Sequence, residues 1–566
     1  MPTINVDQAV LRRLIEAAGH DHSIEALEHE LPLLGTDIDR CDAEVLDIEI
    51  FPDRPDLLST ETLSRGLRAF LHHEELPPHL DVAAPTTSMV VDDGLANVRP
   101  IVLCAIVRNV NLGSTDEERD ASIRRLMDHQ EKLHFAVGRG RRRSSIGVHD
   151  LDTIAAPFKA VAAQRDTAFV PLASEEAMTV DQILALHPKG QAFAHLLEGM
   201  DRVPLLYDAN GEVLSFPPII NGVQTTVKPS TKSMLIDVTG WDLASCEACL
   251  HLVCLQLVAM GGEVEGVEVI GGAAPGVHPS ASPRLHKLSR QNVTRLLGRD
   301  FSSSEIESAF RRMGGLLDAA WPDGEGWDIA MPRWRVDLLH EVDLIEDLAI
   351  GHGFDDLGTS TPTAPAHGTA RADAHLRRRL RTILMGLGLT EVQSLTLSNE
   401  RDQFELPRWR PSQAVTAITN PITVDHTVLR QHLIPGLLRL LAANKHHDLP
   451  QAVFEVGTVV RGHRNHGRFA FLVAETNGGF SAVRGRVQSL LLGLGAAERE
   501  VVIEALPDNE GPWLAGRAAR VLVDGAWIGC FGELDPRVSE AFALTVPLNG
   551  AEFDLDAVLT ALPDPV

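Results

Sequence analysis

The chain has 566 residues, 78 Asp and Glu against 51 Lys and Arg, and a formal net charge of −27. That length suggests about four domains of ordinary size, and 44% hydrophobic with 23% charged residues is a globular balance. The acidic average argues against nonspecific coating of nucleic acid or of an anionic membrane, although screening over about 10 Å leaves room for a local basic site.

Six cysteines are too few for a disulfide scaffold. Cys246 and Cys249 make the CxxC of "CEACLHLVCLQLVAMGG", an apolar helical stretch with no second pair at zinc-finger spacing, so they read as reduced core cysteines. The amphipathic N-terminus lacks the apolar segment of a signal peptide. No run of about 18 apolar residues occurs, so a cytoplasmic protein with no membrane span is expected.

Three Pro-, Gly-, Ser- and Ala-rich stretches, 76–88, 271–283 and 358–370, read as joints. In the first piece a helix is predicted through Val6–Ala18, with Val10, Leu14 and Ala17 on one face. "EVLDIEIF" alternates like a strand, and Ser59 is placed to cap the helix "TETLSRGLRAFL". The second piece alternates strands ("IVLCAIVRNV", "PPIING", "SMLIDVTG") with helices ("STDEERDASIRRLMDHQEKLHFAVG", "SCEACLHLVCLQLVAM"). The third is small and helical, with a strand at "GWDIAMP". The fourth opens on a helix with Leu376, Leu380, Ile383, Leu384 and Leu387 on one face, ended by Gly386 and Gly388. "AVFEVGTVV" and "FAFLVAET" then read as central strands.

Four carboxylates, Asp337, Asp343, Glu346 and Asp347, crowd into eleven residues of "MPRWRVDLLHEVDLIEDLAIGHG". Pro332 to Val336 reads as extended, and a helix is predicted from about Leu339. Asp343, Glu346 and Asp347 then share one helix face. Oxygen ligands at this spacing suit Mg²⁺ or Ca²⁺, and the same spacing fits a solvated acidic face.

This block resembles "P-x-x-R-x-D-(five residues)-D-L-I-E-[ED]-x-A-x-x-x-G-[YF]" of the phenylalanyl-tRNA synthetase β-subunit family. "FPDRPDLLS", "GRGRRRSSIGVHDLDTI", "FPPIINGVQTTVKPSTKSMLIDVTGWD" and "NPITVDHTVLRQHLIPGLLRLLAANKHHDLPQAVFEVGTV" are similar to further blocks of that family, in the same order. The likeness spans nearly the whole chain and is to the shorter, archaeal and eukaryotic type. It implies an α+β multidomain protein. The expected parts are an N-terminal α/β domain (1–85), a mixed α/β tRNA-editing domain of B3/B4 type (86–270), a small helical, winged-helix-like B5-type module carrying a metal (271–358), and a C-terminal class II synthetase-like antiparallel core without catalytic motifs (365–566).

By the same resemblance Asp337, Asp343, Glu346 and Asp347 hold a Mg²⁺ near the contact with an α subunit. The α subunit uses ATP to charge tRNA(Phe) within an (αβ)₂ heterotetramer. The β subunit hydrolyses mischarged Tyr-tRNA(Phe). Ser215, Asp237 and Thr239 match editing-pocket positions and Leu205 a looser pocket wall, with Asn221 added from its place in "PPIING". Period two puts Asp237 and Thr239 on one side of their strand, where they either serve a pocket or only satisfy backbone amides. No Ser–His–Asp set is evident, and His149 and Asp150 read as strand-end structure. "GRGRRRS", with Arg139, Arg141, Arg142 and Arg143, reads as a flexible loop for a phosphate backbone or a solvated loop.

The fourth piece shows no arginine beside Glu455 that would reach ATP. "GLGAAER" reads as a helix end and loop, "KPSTKS" as an ordinary loop, and no "GxxxxGK[ST]" occurs. Two other readings stay open: a structural, tRNA-binding subunit without active editing, and a free-standing Mg²⁺-dependent enzyme.

Overall fold

The computed structural model describes residues 2–359, 361, 367–507 and 510–562. The chain falls into two compact units, Met1–Pro362 and Thr363–Val566. Among the described residues no helix is long and apolar enough to cross a membrane.

The first unit opens with a three-stranded antiparallel sheet whose centre is Val45–Ile50, flanked by Thr3–Asp7 and Thr36–Cys41. The alternation of "EVLDIEIF" buries Leu46, Ile48 and Ile50. The first helix is Gln8–Ala17, because Asp7 ends the preceding strand and caps the helix by accepting from the N–H groups of Ala9 and Val10. Its buried face is therefore Leu11 and Ile15, and Val10 and Leu14 are only half-buried. Ser59 caps Thr60–Phe70 as expected, accepting from Thr62 N–H.

The largest sheet runs through Ile220–Asn221, Val213–Phe216, Arg202–Tyr207, Phe158–Gln164, Ser88–Val91, Glu263–Gly271, Ile101–Arg108, Met234–Gly240 and Ser144–Asp150. Both stretches read as joints, 76–88 and 271–283, are built into it. Val82–Ala83 and Gly276–His278 each pair with Glu263–Gly271. Proline and glycine mark where helices stop, but they do not forbid a short edge strand. The helices Asp116–Ala136 and Leu243–Ala259 contribute Leu126, Leu133, Cys246, Cys249 and Cys254 to one core shared with the N-terminal sheet. All three of these cysteines are buried and free, and burial pushes the Cys249 thiol up to about 12, which is the inert core chemistry expected.

Residues 284–357 carry as many strands as helices. Arg284–Ser289, Gly326–Met331 and Leu316–Ala320 form an antiparallel sheet, covered by Arg290–Leu297, Ser303–Arg312 and Glu341–His352. The strand stops at Met331. Pro332 to Val336 turns instead of extending, with Arg335 N–H donating to the Pro332 carbonyl.

The second unit is a seven-stranded sheet in the order Thr390–Glu391, Gln451–Arg461, Arg464–Ala474, Leu548–Asp554, Ala526–Leu534, Trp513–Val523 and Val501–Ala505. Only the first pair is parallel. Leu376, Leu380 and Leu384 of Ala374–Gly386 and Val483, Val487 and Leu490 of Phe480–Gly493 pack in one core with Phe469, Phe471 and Phe553. Leu437, Leu438 and Leu441 of Ile434–Ala443 belong to another. Gly388 follows the first of these helices with φ of 82°, the left-handed conformation that closes a helix without a Cβ penalty. "GLGAAER" is a helix end and a short turn, with the next strand starting at Val501. Of the stretch 358–370, residues 360 and 362–366 lie outside the described residues.

Ser59→Ala is expected to lower stability by about 1 kcal/mol and Ser59→Asp to restore most of it, read by chemical denaturation of the first unit.

Candidate functional site

The strand Met234–Gly240 lies between Ile101–Arg108 and Ser144–Asp150, antiparallel to both, with all seven of its residues buried. Met234, Ile236 and Val238 pack into the core that holds the helix Leu243–Ala259, so period two sends Leu235, Asp237 and Thr239 to the other face. Register sets Asp237 opposite Gly147, Thr239 opposite Ser145 and Leu235 opposite His149. A carboxylate in such a strand needs a partner. Asp237 Oδ1 lies 2.6 Å from His149 Nε2, and His149 Nδ1 lies 2.9 Å from Thr225 Oγ1. The Thr225 hydroxyl is also 3.0 Å from the Gly222 carbonyl. Gly147 makes this possible, since a Cβ there would collide with Asp237 Oδ1 and come within 2.8 Å of His149 Nε2.

Asp237 and Thr225 open on a cavity of about 390 Å³, walled also by Glu131, Arg141, Ser215 and Asn221. That volume lies in the range of small-molecule sites. Ser215 Oγ donates to Asn221 Oδ1 at 3.2 Å, across the paired strands Val213–Phe216 and Ile220–Asn221. The structure thus gathers Asp237, Ser215 and Asn221 as anticipated. It also adds His149 and Thr225, which sequence reasoning passed over. Their signal was that "GVHD" and "NGVQTT" lie inside two of the family-like blocks, but only strand pairing shows that they meet.

Thr239 does not line the cavity. Its hydroxyl accepts from Arg99 Nε at 2.8 Å and lies 3.1 Å from Ser145 Oγ. Arg99 also donates to the Thr239 and Arg141 carbonyls, and burial lowers its pKa to about 10. Leu205 is fully buried with Val203, Phe216 and Ile219 in an apolar core and is no part of the wall. The basic segment is a tight turn: Gly140 and Arg141 N–H donate to the His134 carbonyl, and Arg143 N–H to that of Gly138. Arg141 points inward. It donates to the Pro218 and Ile219 carbonyls at 3.0 Å and to Glu131 at 2.6 Å, and its guanidinium sits 4.3 Å from the Phe193 ring centre. It braces the cavity and offers no free charge to a phosphate. Arg139, Arg142 and Arg143 are exposed.

Asp337, Asp343, Glu346 and Asp347 line a second cavity, of about 360 Å³, together with Asp53 and Arg54 of "FPDRPD". Two sequence blocks far apart in the chain therefore face one space. The four carboxylates do not form a cation cage. Arg335 donates from Nε and Nη2 to Asp337 at 2.9 and 2.7 Å, and from Nη2 to Asp347 at 2.8 Å. Asp343 Oδ2 is occupied by the N–H groups of Leu339 and His340, capping the helix Glu341–His352. Glu346 is exposed. Among the described residues no three His, Cys, Asp or Glu side chains are gathered so as to hold a metal. In this arrangement the residues do not fit the expected Mg²⁺, because a guanidinium already supplies the countercharge. The fit of that guanidinium is incomplete: Arg335 Nη1 and Asp347 Oδ2 are buried without a partner. Burial raises the Asp347 pKa against the opposing pull of Arg335.

Comparison with known proteins first gives a class. Residues 100–248 match the family described as B3/4 domain, 286–354 the tRNA synthetase B5 domain, and 357–555 the phenylalanyl tRNA synthetase beta chain CLM domain. These place the chain among the components of tRNA synthetases. The phenylalanine–tRNA ligase beta subunit of Methanococcoides burtonii is 37% identical over 557 residues, covering 98% of this chain and 100% of that one. That of Archaeoglobus fulgidus is 36% identical over 559 residues, covering 98% of each. A crystal structure of an N-terminal fragment of the phenylalanyl-tRNA synthetase beta subunit from Pyrococcus horikoshii superposes with a TM-score of 0.56 at 30% identity, covering 62% of this chain and 99% of the fragment. The chain belongs to the phenylalanine–tRNA ligase β-subunit family.

Gly147→Ala is expected to cost about 1–3 kcal/mol by thermal unfolding, since the added methyl displaces the Asp237 carboxylate from His149. At the acidic cavity, dialysis against a chelator is expected to leave the unfolding midpoint unchanged, whereas Arg335→Met is expected to cost about 3–5 kcal/mol by stranding the buried Asp347 and the half-buried Asp337. A midpoint that falls on chelation would show that a cation holds them instead.

Proposed function

We propose that this chain works with an α subunit, in an (αβ)₂ heterotetramer in the cytoplasm, and that the cavity around Asp237 hydrolyses Tyr-tRNA(Phe). Charging with phenylalanine, and the ATP it consumes, belong in this reading to the α subunit. The second unit is then a class II synthetase-like core that does not activate an amino acid. In support, its Glu455 is buried and engaged, 2.7 Å from Arg430 Nη2 and accepting from Ser394 Oγ at 2.6 Å. The 286–354 module serves as a docking element.

The observation that carries the editing reading is the Asp237–His149–Thr225 chain at the wall of a cavity of substrate size. Phenylalanine and tyrosine differ by one hydroxyl, which an apolar charging pocket rejects only about 100-fold. A second site with polar groups aimed at that hydroxyl corrects the remainder. Ser215, Asn221 and Asp237 are such groups. Hydrolysis of the ester requires a positioned water, removal of its proton and stabilisation of the developing oxyanion. The Thr225 hydroxyl donates to the Gly222 carbonyl and its oxygen meets His149 Nδ1, while His149 Nε2 holds Asp237 Oδ1. The Asp237 carboxylate opens on the cavity, where it is placed to orient a water and take its proton. His149 fixes the orientation of that carboxylate. The exposed Arg139, Arg142 and Arg143, in the same turn as the cavity residue Arg141, are placed to meet tRNA phosphates.

In the holoenzyme, Asp237→Asn and His149→Asn are each expected to slow deacylation of Tyr-tRNA(Phe) by about 100-fold or more while phenylalanine charging is kept. Deacylation at the parental rate in both variants would leave a structural, tRNA-binding subunit as the better reading.

A further inference from the structure

The second unit holds a cavity of about 610 Å³ that the editing reading does not use. Its floor is the buried pair His432 and Arg468, from the lead-in to the helix Ile434–Ala443 and from the strand Arg464–Ala474. Arg461, at the end of the strand Gln451–Arg461, and the exposed Arg410 stand beside them, and two indoles, Trp409 and Trp527, complete the wall. Glu510, exposed at the rim, is the one acidic side chain lining it among the described residues.

The cations here are only partly neutralised from within. Glu552, buried beneath the floor, is shared: its Oε1 lies 3.3 Å from Arg468 Nη1 and 3.4 Å from His432 Nδ1, while its Oε2 accepts from the N–H groups of Leu433 and Ile434. Arg468 reaches Asp554 only at 3.4 Å. Among the described residues Arg461 has no carboxylate partner, spending two donors on the Gln431 carbonyl at 3.1 and 3.0 Å. Burial, with Arg468 nearby, lowers its pKa to about 10, the mark of a cation short of compensating charge. Two polar atoms of the floor, Arg468 Nε and His432 Nε2, are buried without any hydrogen-bond partner, on side chains 3% and 2% exposed. Such atoms cost stability unless something meets them. The aromatic wall is already ordered. Trp409 stacks on His432 with ring centres 3.6 Å apart, and Trp513 meets Trp409 edge-on at 6.3 Å. Trp527 remains 42% exposed, although its ring lies 5.9 Å from the Arg468 guanidinium.

We infer that this cavity is a binding site for a nucleoside phosphate, its phosphate met by Arg410, Arg461 and Arg468 and its flat base by the indole of Trp527. Guanidinium groups match phosphate geometry, and indole stacking suits any base. The cavity volume is adequate for such a ligand. The inference is independent of the editing reading, since it concerns other residues in another unit and binding in place of hydrolysis.

The test is titration of the full chain, without an α subunit, with ADP and separately with inorganic phosphate, read by tryptophan fluorescence and calorimetry. ADP is expected to bind and to quench the indoles. Trp527→Ala, at an exposed position, and Arg410→Met are each expected to weaken binding by about tenfold, close to 1.4 kcal/mol. Asp237→Asn is expected to leave ADP binding unchanged. Absence of ADP binding, or binding indifferent to both Trp527→Ala and Arg410→Met, would overturn the site. Phosphate binding as tight as that of ADP would overturn the role given to the base.

Discussion

The first unit depends on a buried carboxylate finding its partner across a sheet. Asp237 sits in the middle of a strand paired along both sides, where burial leaves its charge in need of a partner. His149 from the adjacent strand meets it, Thr225 meets His149, and Gly147 leaves the space in which this happens. An apolar trio would hold such a sheet together at least as well, because desolvation offsets much of what a buried polar chain gains. What the polar chain adds is a fixed ring orientation at the wall of a cavity.

Arginine recurs as the internal counter-ion. Arg99 ties together the strand ends behind Thr239, Arg141 braces the cavity from the turn, and Arg335 joins Asp337 to Asp347. A planar guanidinium donates in several directions at once and stays charged when buried. In a chain of net charge −27 this is an economical way to fix backbone carbonyls and carboxylates together. Two of these arginines lie where the sequence suggested other partners: Arg141 of the basic turn faces inward, and Arg335 stands among the clustered carboxylates.

Local elements were largely legible in the sequence. Strand Val45–Ile50 followed from alternation, the Ser59 cap from its position before a helical run, and the helix Ala374–Gly386 from leucine spacing. Where reading failed, a nonlocal partner had intervened. The segment after Pro332 turns because Arg335 is drawn inward, and 76–88 and 271–283 each contribute a short strand because Glu263–Gly271 offers edges to pair with. Of the candidate site, Asp237, Ser215 and Asn221 were visible through their motif. His149 and Thr225 were not, because 88 residues of chain separate His149 from Asp237 and 76 separate it from Thr225.

The sequence by itself determined the family, the order of its parts and which segments carry charge, since these are properties of residue type and spacing along one dimension. Only the tertiary structure decided which charges meet solvent and which meet each other. That choice depends on dielectric surroundings and on the register of strands distant in the chain, so Arg139 and Arg141, two residues apart, end as an exposed cation and a buried strut.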